Sequence, residues 1–125
     1  MICSRNVSLA IAKGLVQRSD IEKIAIGTAL CFDECWQKAK PLIRDIVFSD
    51  ARNKFLWGLL TEMKSNGLDV DVDTMWQYAM DKYPNIKDPS KLAAYICEVT
   101  LVVCYADYDK VISELFRLYT TEIRK

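Results

Sequence analysis

Apolar residues recur every three or four positions along most of the chain, the period of helices with one face turned inward. Over residues 4–18, Val7, Ala10, Ile11, Leu15 and Val16 keep this spacing, with Gly14 a weak point. Ser19-Asp20-Ile21-Glu22 then reads as a capping box opening a helix that runs toward Phe32. Asp33 is placed to cap a short helix through Trp36 and Ala39. Pro41 breaks that helix or begins a turn carrying Leu42, Ile43, Ile46 and Val47. From Asp50 the pattern puts Phe55, Leu56, Leu59, Leu60 and Met63 on one face, and Asn66-Gly67 supplies a left-handed stop. Asp71 or Asp73 caps the next helix, which carries Met75, Trp76, Ala79 and Met80 and ends near Tyr83 because Pro84 follows. Asp88-Pro89 opens another through Leu92, Ala93, Tyr95, Ile96, Val99 and Val103. Residues 105–123 make a final amphipathic helix on Tyr108, Val111, Ile112, Leu115, Phe116, Leu118, Tyr119 and Ile123.

The β-branched run over residues 99–103 has no second alternating run to pair with, so the fold class expected is all-α, a bundle of six or seven packed helices. No repeat or linker divides the chain. Residues 19–125 are expected to form a single helical domain, with 1–18 a loosely attached N-terminal segment.

Charge and composition then narrow the chemistry. Seventeen Lys plus Arg balance seventeen Asp plus Glu, leaving no bulk attraction for a polyanion. There are five cysteines and no histidine, the residue that supplies most general bases near neutral pH, so ordinary hydrolytic catalysis is disfavoured. An odd cysteine count, with Cys31, Cys97 and Cys104 in apolar runs and nothing resembling a cleaved signal peptide, predicts free thiols in a reducing cytoplasm. The apolar stretch over 92–105 is interrupted by Glu98 and is shorter than the ~20 residues a membrane crossing needs.

Asp69, Asp71 and Asp73 alternate like the opening of a calcium loop, but Thr74 stands where the loop needs glycine and Met80 where it needs a bidentate glutamate. Helix capping is the expected use of these aspartates. Cys31 with Cys35 and Cys97 with Cys104 would make a zinc site only if their helices met, and no Cys-x-x-Cys knuckle is present. Gly27 and Gly58 stand alone, without a Walker-type phosphate loop, so no cofactor is expected. Trp36, Trp57 and Trp76 are expected in the core or at a protein interface, and Lys38, Lys40 and Arg44 form a small basic cluster. The apolar set of the last helix is too broad for a narrow stripe. It predicts a partner interface on Leu115, Phe116, Leu118, Tyr119 and Ile123, rimmed by Arg117 and Arg124, with burial inside the domain as the alternative.

The order of several short motifs also carries a resemblance. Glu22 precedes Ile26-Gly27, then come Leu30, Glu34-Cys35-Trp36 and Phe48 ahead of Arg52-Asn53-Lys54-Phe55. Asn66-Gly67, the run from Val70 to Met75, Ala94-Tyr95-Ile96 and Tyr108 with Val111 and Ile112 follow in the same order. Across residues 20–117 this resembles the N-terminal domain of DnaB-type replicative DNA helicases. The resemblance implies a helical head without catalytic activity of its own, which helps build the collar of the helicase ring in DNA replication and meets primase or a loading factor. Self-association, as a dimer or higher assembly, is expected from the apolar face of the C-terminal helix, while the resemblance assigns ATP hydrolysis to a separate motor domain. Two alternatives are a small helical nucleic-acid-binding regulator, with Lys38, Lys40 and Arg44 on phosphates, and the helicase-binding helical module of a primase.

Overall fold

Every residue from 24 to 30 is buried in the computed structural model, which describes residues 17–123. A stretch buried on every side belongs in the middle of a bundle, and the second half of the helix Arg18–Cys31 (α1) takes that place. Around it lie α2 (Asp33–Ala39), a 3-10 turn (Asp45–Val47), α3 (Ala51–Ser65), α4 (Val72–Lys82), α5 (Pro89–Thr100) and α6 (Tyr108–Ile123). The all-α expectation holds, with six α-helices and no strand among the described residues. None of these helices is long and apolar enough to cross a membrane. The expected helix over 4–18 lies outside the described residues, apart from its last two positions.

α1 packs on α6, α2, α5 and α3, and α4 completes the bundle against α3 and α5. Its approach to α5 depends on Gly27. A Cβ built there would overlap the carbonyl group of Val99, 2.8 Å from its carbon, so only glycine admits the α5 backbone at this distance. Leu56, Leu60 and Met63 of α3, Met75 and Ala79 of α4, Ile96 and Val99 of α5 and Val111 and Leu115 of α6 are each at most 1% exposed. They form one continuous core with α1.

Several caps follow the sequence reading. Asp50 accepts from the Arg52 amide, Asp71 and Thr74 form a reciprocal capping box, and Asp88 precedes Pro89 at the first turn of α5. Gly67 takes φ of 70° and ends α3.

Three expectations are corrected. The box expected at Ser19 and Glu22 is absent: α1 begins two residues earlier, its N-cap Gln17 makes no side-chain cap bond, and Glu22 turns into the core. Asp33 does not cap α2. It is the first helical residue, and its carboxylate reaches Lys64 of α3 at 3.1 Å. Tyr105 precedes α6; its ring packs on Phe32 with centroids 4.7 Å apart, and its hydroxyl donates to Glu34 at 2.7 Å.

Candidate functional site

Glu22 heads an inward face of α1 that continues through Ala25, Ile26 and Ala29, and its side chain is fully buried. Its Oε2 accepts from the Ser49 amide and hydroxyl, both at 2.8 Å. Its Oε1 accepts from the Asp50 amide at 3.2 Å and from Asn53 Nδ2 at 3.0 Å. Arg18, one turn earlier, places Nε 3.3 Å from Oε2 and donates through Nη2 to the Val47 carbonyl at 2.8 Å. Asn53 also donates to the Ser19 carbonyl at 3.1 Å and accepts a short hydrogen bond from the Tyr95 hydroxyl. Burial pushes the Tyr95 phenol up to about 12, and the Arg52 guanidinium lies over its ring at 4.3 Å. The bond from Arg52 in turn holds the Asp50 carboxyl below its usual range.

This chain of contacts ties α1, the 45–50 segment, α3 and α5 together. A buried carboxylate is tolerated only with its lone pairs met by donors, and here at least four hydrogen bonds meet them. With its oxygens so engaged, Glu22 acts as a structural clasp. Helical spacing puts Glu22 on the same face as Ala25, Ile26 and Ala29, the one local hint in the sequence of an inward side chain, and it competes there with the capping-box spacing.

The residues expected to meet a partner divide along α6. Leu115 is wholly buried beside Val111 and Ile112, so it belongs to this domain's own core and leaves the expected surface. Phe116, Leu118 and Tyr119 are half-buried and lean on the core from outside. Arg117 is exposed and donates through Nε to Glu114 at 2.6 Å. Ile123 ends α6, and Arg124 lies outside the described residues.

The basic cluster also divides. Lys38 lies 3.8 Å from Asp109 of α6, a contact between exposed groups. Lys40 and Arg44 line a groove of about 840 Å³ beside α3, together with Lys54, Phe55, Gly58 and Tyr83. Lys54, Gly58 and Tyr83 carry no interaction signal in the sequence, because residues from three separate elements meet only on folding.

Trp36 and Trp57 are buried with ring centroids 5.4 Å apart, and Trp76 donates to the Pro89 carbonyl at 3.1 Å. They pack the bundle. Cys31 and Cys97 are exposed free thiols and Cys35 a buried one, its thiol pushed up by burial. Cys104 is disulfide-bonded, which corrects the expectation of a free thiol there. Burial in an apolar run suits a thiol and a half-cystine equally, so the sequence pattern could not separate them. Among the described residues no three or more His, Cys, Asp or Glu side chains are grouped to hold a metal.

The family model described as "DnaB-like helicase N terminal domain" matches residues 15–114 of the chain. Comparison with curated proteins and with solved structures returns no match. The matched span contains Glu22, Asn53 and Tyr95 and ends just before Leu115.

Proposed function

The chain belongs to the family of DnaB-like helicase N-terminal domains, and on that premise we propose that it is a protein-interaction head of a replicative DNA helicase. In this reading it contributes to ring and collar assembly, meets primase or a helicase loader, and works in the cytoplasm. Strand separation and ATP hydrolysis fall to the motor domain of the parent enzyme, and the head performs no reaction itself.

The observation that carries this reading is the layering of α6. Its first turns send Tyr108, Val111, Ile112 and Leu115 into the bundle, while Phe116, Leu118 and Tyr119 keep part of their apolar surface outside it. Aromatic and aliphatic side chains in this state gain by being covered, and aromatic anchors dominate protein interfaces. Exposed Arg117 would stand at the rim of such a contact. Self-association through this face, as a dimer or higher assembly, is part of the proposal.

Sedimentation of the 125-residue chain and its Phe116→Ser and Tyr119→Glu variants tests it. Association and binding to primase or loader should weaken in the variants while helical circular dichroism is kept. Unchanged sedimentation and unchanged partner binding reject the α6 face. DNA binding that collapses with added salt, without any protein association, would favour the regulator reading instead.

A further inference from the structure

Lys40, Arg44 and Lys54 are exposed and stand around the groove beside α3. No described residue forms an ion pair with any of the three. The carboxylates at the same groove are Asp45 and Glu62, and Glu62 is already engaged by Lys82. The rim therefore carries an excess of positive charge over an apolar wall in which the rings of Phe55 and Tyr83 pack with centroids 5.4 Å apart. At about 840 Å³ the groove is within the size range of ligand clefts, roughly 300–1,000 Å³.

A second observation comes from the groove floor. Gly58 sits in the interior of α3, where glycine is less favourable than alanine, yet a Cβ built on it meets nothing within 4 Å. No packing inside the domain requires glycine here. Its effect is to leave the α3 backbone open to whatever enters the groove. The adjoining 42–46 segment exposes aliphatic surface, Leu42 at 50% and Ile46 at 58%, whereas of the aromatic rings lining the groove Trp57 is buried and Phe55 half-buried, leaving Tyr83, 40% exposed, as the one open ring among the described lining residues. Aliphatic surface favours a peptide, whereas a single-stranded nucleic acid gains most from open aromatic rings on which bases stack.

We propose that this groove docks an acidic segment of a partner protein, with carboxylates over Lys40, Arg44 and Lys54 and one apolar side chain seated over Gly58 beside Phe55 and Tyr83. The site lies on the 40–45 segment and α3, and it does not depend on the α6 face.

Fluorescence anisotropy on the full chain tests it, using a labelled peptide of Asp and Glu interspersed with Leu and Phe. The same peptide with Lys in place of each acid and a labelled oligothymidylate serve as competing probes. The acidic peptide should bind, and its affinity should fall between ~50 and ~200 mM salt as the rim charges are screened. Reversing all three cations (Lys40→Glu, Arg44→Glu, Lys54→Glu) should weaken it about tenfold, since each exposed pair contributes little by itself. Gly58→Leu should fill the floor and abolish binding while retaining helical circular dichroism. Lys54→Glu alone, on an exposed helix position, gives a readout should either of these lose its fold. The Phe116→Ser and Tyr119→Glu variants should bind the peptide normally, which separates this site from the α6 surface. Equal binding of the acidic and lysine peptides, binding of neither, or binding indifferent to Gly58→Leu and to charge reversal overturns the proposal. Preference for oligothymidylate overturns it too and assigns the groove to nucleic acid.

Discussion

Glu22 on α1 accepts a hydrogen bond from Asn53 on α3 at 3.0 Å, and both side chains are entirely shielded from solvent. The pair is the centre of a clasp that the Tyr95 hydroxyl extends to α5. Glu22→Gln would turn an amide N–H toward donors that now point at a carboxylate, at a cost of about 2–4 kcal/mol. Asn53→Ala should cost about 1–3 kcal/mol by leaving buried partners unmet. In urea denaturation the double variant should lose less than the two singles together, by about 0.5–3 kcal/mol. Strict additivity would show that the two residues act independently.

Gly27 yields a prediction of the opposite kind, from crowding. Gly27→Ala drives a methyl group into the Val99 carbonyl, and backbone at that point cannot move aside as a side-chain tip can. Overpacking in a core costs about 1–3 kcal/mol and more when backbone must shift. Gly58→Ala, with open space at its Cβ, should instead raise the melting temperature slightly. Thermal unfolding of the two variants side by side checks the contrast, and equal shifts would contradict the close approach of α1 and α5.

Alkaline pH should loosen the same clasp. Burial raises the Tyr95 phenol from its ordinary 10.0 to about 12, so the folded state holds that proton more tightly than the unfolded chain. The stability tied to this group is fully present below pH 10.0 and is lost as pH climbs from there to about 12. Tyr108 is pushed in the same direction by burial and steepens the loss. Tyr95→Phe should be less stable at neutral pH, because Asn53 Oδ1 loses its donor, yet less sensitive to pH across that window. Urea midpoints measured against pH for both proteins decide it; parallel curves would remove Tyr95 from the account.

Along α6, stability and association should separate at neighbouring positions. Leu115→Ala opens a void in a sealed core and should cost about 2–5 kcal/mol. Arg117→Ala removes an exposed guanidinium and its ion pair with half-buried Glu114, and should shift the unfolding curve only slightly. Comparing urea curves with sedimentation for both variants distinguishes core from rim, and a large loss of stability at Arg117 would place it in the packing.

Periodicity, caps and stop signals were legible along the chain wherever a local rule governs. Asp50, Asp71 and Asp88 each sit ahead of a helix whose free amides lie within three residues, and Gly67 ends α3 with φ of 70° because only local backbone geometry is at stake. The family is legible for a related reason: Glu22, Asn53 and Tyr95 fall within short motifs that follow one another in order along the chain, and the matching family model spans all three.

Tertiary structure alone decided which use each ambiguous side chain has. Glu22 fitted a capping box by spacing, but its carboxylate meets donors 27 to 31 residues away, and no local rule reports those. Leu115 and Phe116 are equally apolar neighbours. One is sealed in the core and the other is left partly open because a helix turns about 100° per residue and the bundle covers only one side of α6. The groove beside α3 has the same origin, since Lys40, Gly58 and Tyr83 are strangers in the chain and neighbours in space. Local chemistry is written in short intervals of sequence, whereas burial and surface shape depend on which distant segment arrives to cover a face.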